Sequence, residues 1–180
     1  MLLKLIDLLD IIITSKTRVK LLLKFFLNPN NKAYLRGLSQ EFGESTNSIR
    51  LELNRFEEVG MLTSCMEGNK KVFTTNKKFS LFNELQGIVK KFVGVDQIIE
   101  RLAMRLGNLE EVYLEGDLAC GKDSKVVDII LVGKDIDRMY LTQLIDKTEP
   151  LIKRNIRYQI VEDRKNLFSK KEKPLLIWTK

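Results

Sequence analysis

Two stretches of this 180-residue chain carry side chains whose types and spacing can do chemistry. The first is Thr46-Asn47-Ser48-Ile49-Arg50-Leu51-Glu52-Leu53-Asn54-Arg55-Phe56. At about 100° per residue, Ile49, Leu53 and Phe56 share one helical face. Asn47, Leu51 and Asn54 share the opposite face, with Arg50 and Arg55 on its flanks. Amides, guanidiniums and one apolar side chain are the groups that read base edges in a DNA major groove. The same spacing also suits a helix pair with a solvated outer face. The second stretch is Gly116-Asp117-Leu118-Ala119-Cys120-Gly121-Lys122-Asp123, followed by the run Val126-Val127-Asp128. Glycines beside carboxylates are the material of phosphate and metal sites. The chain has no histidine, which excludes a His-ligated metal and a His general base. Cys65 and Cys120 match no metal or redox spacing, and read as free thiols of a reducing cytoplasm.

The first stretch needs a frame to present it. Upstream, Tyr34–Phe42 reads as a short helix, Gly43 suits the left-handed position that ends it, and Ser45 or Thr46 can cap the next helix. Before that, Thr14-Ser15-Lys16-Thr17 offers caps for a helix over Arg18–Leu27, with Val19, Leu22, Leu23 and Phe26 inward. Asn28-Pro29-Asn30-Asn31 breaks the chain. Downstream, Gly60 leads into two apolar runs around the turn Glu67-Gly68-Asn69, with Lys70 and Lys71 at its tip and rise. On these residues, and on the phrase Asn54-Arg55-Phe56-Glu57-Glu58-Val59-Gly60-Met61-Leu62, residues 17–80 resemble a winged helix-turn-helix domain of the ArsR-like transcription regulators. The resemblance implies double-stranded DNA as partner. Thr46, Asn47, Ser48, Arg50, Leu51, Asn54 and Arg55 would then sit on the recognition helix, and Lys16, Arg36, Lys70 and Lys71 on phosphates.

The second stretch lies further along. Leu81 to Leu106 reads as one or two helices divided at Gly94, and Glu110–Glu115 as a strand. Gly116 to Lys125 reads as a loop and Val126–Val132 as a second strand. Beyond them come a helix over Met139–Lys153, a strand at Arg157–Val161, a short helix or turn at Arg164–Ser169 and a last apolar segment at Pro174–Trp178. The glycine stretch comes within one residue of a P-loop, but Asp123 stands where a hydroxyl must meet magnesium. Only four residues separate Gly121 from the strand at Val126, too few for the crossover helix a parallel sheet requires. The P-loop reading is therefore rejected.

Gly116, Ala119, Gly121 and Asp128-Ile129-Ile130-Leu131-Val132-Gly133 are instead similar to the framework of the minimal nucleotidyltransferases. The functional positions depart from that family. Asp117 replaces its phosphate-holding serine, Cys120 an arginine and Val126 the first metal-binding aspartate. Asn155–Val161 offers no third carboxylate. Phosphoryl transfer of this kind depends on several oxygens around magnesium, which one aspartate cannot supply. Gly116, Asp117 and Asp128 thus read as a degenerate nucleotide site, with no catalytic residue, metal or cofactor expected. The order of winged helix, Leu81-Phe82-Asn83-Glu84-Leu85 helix and nucleotidyltransferase core recurs in regulator-like fusions.

Charge follows the same division. The net charge is +7, and residues 1–80 hold 13 Lys and Arg against 8 Asp and Glu, while the rest hold 18 against 16. The basic excess lies mostly on the stretch expected to meet a polyanion. Met1–Ile13 reads as an amphipathic helix with Leu2, Leu5, Leu8, Leu9 and Ile12 on one face, suited to dimerisation or to packing on the second domain. Lys4, Asp7 and Asp10 interrupt it well short of a membrane span. The expectation is an α+β protein. A terminal helix (1–15) and a winged helix-turn-helix domain (16–80) precede connector helices and a small mixed-sheet nucleotidyltransferase-like domain (81–180). Such a chain is expected to be a cytoplasmic, homodimeric, DNA-binding transcription regulator without enzymatic activity or membrane partner. The alternatives are a nucleotidyltransferase-like enzyme or nucleotide sensor with a winged-helix adaptor, and a protein-interaction adaptor that has lost DNA.

Overall fold

The computed structural model describes residues 15–105, 108–164, 167 and 174–180. The expected first helix and the basic run Lys170-Lys171-Glu172-Lys173 lie outside them, as does most of the turn expected at Arg164–Ser169. The described chain is mixed α and β with two sheets. Ser15 starts the first helix by accepting from the Arg18 amide, and α1 runs over Lys16–Leu22. The expectation of one α-helix to Leu27 is corrected: Leu23–Leu27 is π-helical. Leu23, Phe25, Phe26 and Leu27 are all buried in it.

A second correction follows. Tyr34 does not open a helix; Lys32–Tyr34 is a short strand, β1, and α2 begins at Leu35 and ends at Phe42. Pairing explains this. β2 (Leu62–Glu67) and β3 (Lys70–Thr75) form the expected hairpin, and β1 adds to β3 antiparallel, with Ala33 opposite Phe73. Backbone groups at Lys32–Tyr34 are satisfied by a partner some 40 residues away, so local helix preference yields.

Between α2 and the hairpin, Gly43 takes the left-handed conformation (φ 63°) and Ser45 caps α3, Thr46–Glu58, accepting from the Ser48 amide at 3.2 Å. Ile49, Leu53 and Phe56 are buried as their spacing requires. Ion pairs of Lys20 with Glu44 (2.6 Å) and Lys24 with Glu41 (2.9 Å) tie α1 to the turn after α2 and the π segment to α2 itself.

The connector is two helices, α4 (Phe82–Val93) and α5 (Val95–Arg105), divided at Gly94. Beyond it, β4 (Asn108–Glu115), β5 (Val126–Lys134), β6 (Asn155–Val161) and β7 (Leu175–Thr179) form a sheet in the order β6-β5-β4-β7. β5 and β6 are parallel, joined by α7 over Arg138–Ile152; the other pairs are antiparallel. The stretch after β4, expected as a loop throughout, begins with a single helical turn, α6, at Gly116–Ala119. One face of the sheet joins the main core through Val112, Leu114, Val127, Ile129 and Leu131. Tyr113, Ile130, Val132 and Leu167 pack on the other face. The main core also contains Phe25, Phe26, Ile49 and Leu53, so one continuous apolar cluster crosses from the first half of the chain to the second. Among the described residues no helix is long and apolar enough to cross a membrane.

Candidate nucleic-acid interface

Burial of Ile49, Leu53 and Phe56 fixes the rotation of α3 and leaves Thr46, Asn47, Ser48, Arg50, Leu51, Asn54 and Arg55 exposed along its outer side. Leu51 is 52% exposed, an apolar side chain standing in water between two asparagines. Asn47, Asn54, Arg50 and Leu51 offer in sequence an amide pair, a guanidinium and a methyl contact. These are the groups that match adenine, guanine and the thymine methyl in a major groove. The Ser48 amide and hydroxyl are engaged with the Ser45 hydroxyl, so Ser48 serves the cap as well as the surface.

The cations expected around this face divide into two sets. Among the described residues no carboxylate pairs with Lys16, Arg36 or Arg50, and all three are exposed. Arg55 is held instead: its Nη1 donates to Glu52 Oε1 at 2.9 Å. Glu52 also accepts a two-pronged bond from Arg18, at 2.9 and 3.1 Å. The Arg18 fork, against the cost of burial and with help from Arg55, keeps the Glu52 carboxyl below the usual carboxylate range. Lys71 is likewise engaged, with Glu57 at 2.6 Å, and hydrogen bonds from Lys71 and Ser64 hold Glu57 below its usual range. Among the described residues Lys70 has no carboxylate partner. Its ammonium sits 4.4 Å from the centre of the Tyr34 ring.

Tyr34 is a residue that periodicity alone misses, because it reads there as the start of a helix. As the end of β1 it places its ring over Gly37, where a Cβ would lie 3.1 Å from Tyr34 Cζ. Tyr34, Arg36, Arg50, Asn54 and Lys70 surround a groove of about 610 Å³ between α3 and the hairpin, floored by Leu53 and Phe73.

Compared with family models, with curated proteins and with solved structures, the chain matches none.

At the second stretch, Gly116 adopts φ 68°, and a Cβ there would stand 3.2 Å from Asp128 Oδ2. Asp128 is close to the loop yet already neutralised: Arg157 Nε and Nη2 reach its two oxygens at 2.6 and 2.9 Å. Parallel pairing of β5 with β6 sets Arg157 directly beside Asp128. A guanidinium thus stands on the strand where the resemblance called for a carboxylate. Asp117 is exposed and 3.9 Å from Lys122. The loop's carbonyls face the first half of the chain. Asn28 Nδ2 donates to Ala119 O at 2.9 Å, Asn31 Nδ2 to Cys120 O at 3.0 Å and Lys24 Nζ to Cys120 O at 3.1 Å. Gly121 (φ 75°) closes the seam. A Cβ there would lie 2.6 Å from Lys24 Cα and 2.9 Å from its carbonyl oxygen.

Proposed function

We propose that this chain is a sequence-specific, double-stranded DNA-binding transcription regulator. α2 and α3 act as its helix-turn-helix, β2–β3 as the wing, and the second half as a non-catalytic, nucleotidyltransferase-like platform. The observation that carries the reading is the outer face of α3. Asn47, Arg50, Leu51 and Asn54 stand exposed together there, on a helix fixed by its buried face, with no carboxylate against Arg50 among the described residues. An exposed leucine between asparagines is suited to a thymine methyl beside amide-read bases. Arg36 and Lys70 lie at the sides of this face, suited to phosphates that supply affinity without sequence information. The Asp128–Arg157 fork supports the non-catalytic part, since a metal there would have to displace a guanidinium held by two bonds. In this reading the protein works in the cytoplasm as a homodimer, with the segment 1–15 as the pairing element.

Selection of bound sequences from random duplex DNA tests the proposal. Enrichment of a short motif containing guanine beside A·T pairs is expected, and a dimer adds an inverted repeat with half-sites about one helical turn apart. Retention of all duplexes alike, or of none, overturns sequence-specific reading.

A further inference from the structure

The groove between α3 and β3 differs from the α3 face beside it in having an apolar interior. Leu53 and Phe73 form its floor, and half-buried Tyr34 and Leu35 its wall. Arg36 and Arg50 stand at its rim. No lining residue is acidic. Its volume of about 610 Å³ falls in the range of small-molecule sites, which combine apolar walls with a few orienting polar groups. A sugar–phosphate backbone would use the rim charges but has nothing to set against the apolar floor. Of the cations that line the groove, Lys71 is paired with Glu57 and Lys70 lies over the Tyr34 ring with its charge intact, so Arg36 and Arg50 are the two that offer a planar guanidinium fork. A guanidinium fork matches a carboxylate in two bonds, and flat hydrocarbon matches the apolar floor and the Leu35 wall.

From this we propose that the groove binds a planar aromatic carboxylate, and that its occupancy excludes duplex DNA. The second half of the proposal rests on the DNA-binding reading. Arg50 and Asn54 line the groove and also belong to the outer face of α3, so a bound carboxylate takes Arg50 away from a base. Two ligands that need the same side chain oppose each other, and each weakens the other by the same factor.

The test is calorimetric titration of the full chain with 2-naphthoate, using the uncharged 2-naphthalenemethanol for comparison. One saturable site for naphthoate is expected, with the alcohol at least about tenfold weaker because it lacks the charge-assisted bonds to arginine. Arg36→Ala with Arg50→Ala is expected to weaken naphthoate by about tenfold or more, while Lys122→Ala, far from the groove, leaves it unchanged. Both arginines are exposed, so the variants keep the fold. Naphthoate is also expected to lower the affinity for a selected duplex in step with its occupancy. Absence of saturable binding, equal binding of the alcohol, or indifference to the arginine substitutions overturns the site. If the chain takes up a selected duplex but no naphthoate, the DNA reading stands and the groove assignment fails. If naphthoate binds through Arg50 and no duplex is selected, the groove stands and the DNA reading fails. Simultaneous binding of both without mutual weakening overturns the exclusion.

Discussion

Arg50 and Asn54 differ from Arg55 in what already holds them. Arg55 is engaged with Glu52, whereas Arg50 has no acidic partner among the described residues. Replacing Arg50 or Asn54 by Ala is expected to cost about 1–3 kcal/mol on the preferred duplex and much less on mismatched ones. Binding titrations on a set of single-base variants check this; a uniform loss over all sequences would remove base readout from α3. Glu52 makes a different prediction, because its role is to hold Arg18 and Arg55 in place. Its folded carboxyl is shifted down chiefly by the Arg18 bond, so the stability it contributes is present above the unfolded carboxylate value of about 4.3 and is lost as pH falls from there through the lowered folded value. Glu52→Gln is expected to lower stability by about 1 kcal/mol at neutral pH, discounted for the part-exposed Arg18, and to flatten the acid side of the curve. Urea midpoints between pH 3 and 7 measure both effects.

At the scale of elements, Gly43 and Gly121 share a left-handed backbone and differ in their surroundings. Nothing stands within 4 Å of a Cβ built at Gly43, whereas at Gly121 it meets the Lys24 backbone. Gly43→Ala is expected to cost about 1–2 kcal/mol, the strain of the conformation alone. Gly121→Ala adds overlap with backbone that cannot swing aside, and about 3 kcal/mol or more is expected; thermal unfolding of the two variants side by side checks the order. Local rules suffice where a residue's neighbours in sequence decide its state. Gly43, the Ser45 cap, the break at Gly94 and the run Val126–Val132 are of this kind. They fail where a distant partner decides. β1 exists because β3 is beside it, and the π segment sits where four apolar side chains enter one core. The same holds for the candidate site. The spacing of Asn47, Arg50, Leu51 and Asn54 is visible in the sequence. That Arg55 and Lys71 are engaged by Glu52 and Glu57, that Arg157 meets Asp128, and that Tyr34 lines a groove are products of packing.

For the whole molecule, charge sets how the proposed binding to DNA answers to salt. Each phosphate neutralised by a cation adds about one unit to the slope of log affinity against log salt. Lys70→Ala is expected to reduce that slope by about one unit, equally for all sequences. Lys71→Ala is expected to change it less, because Lys71 already answers Glu57. Fluorescence anisotropy over a salt series separates the two lysines. The seam at Gly121 denies the two halves autonomy. Had the chain been built of interchangeable modules, a fragment ending near Ser80 would carry α3 by itself. Such a truncation strips Phe82 from Phe26, whose rings are 6.1 Å apart, and uncovers the π segment that α4 packs upon. It also removes the Cys120 carbonyl from Lys24, whose side chain is only 11% exposed. The smallest unit able to present α3 is therefore longer than α2 and α3, and moving α3 onto another platform means transplanting the Ala119–Gly121 turn along with it.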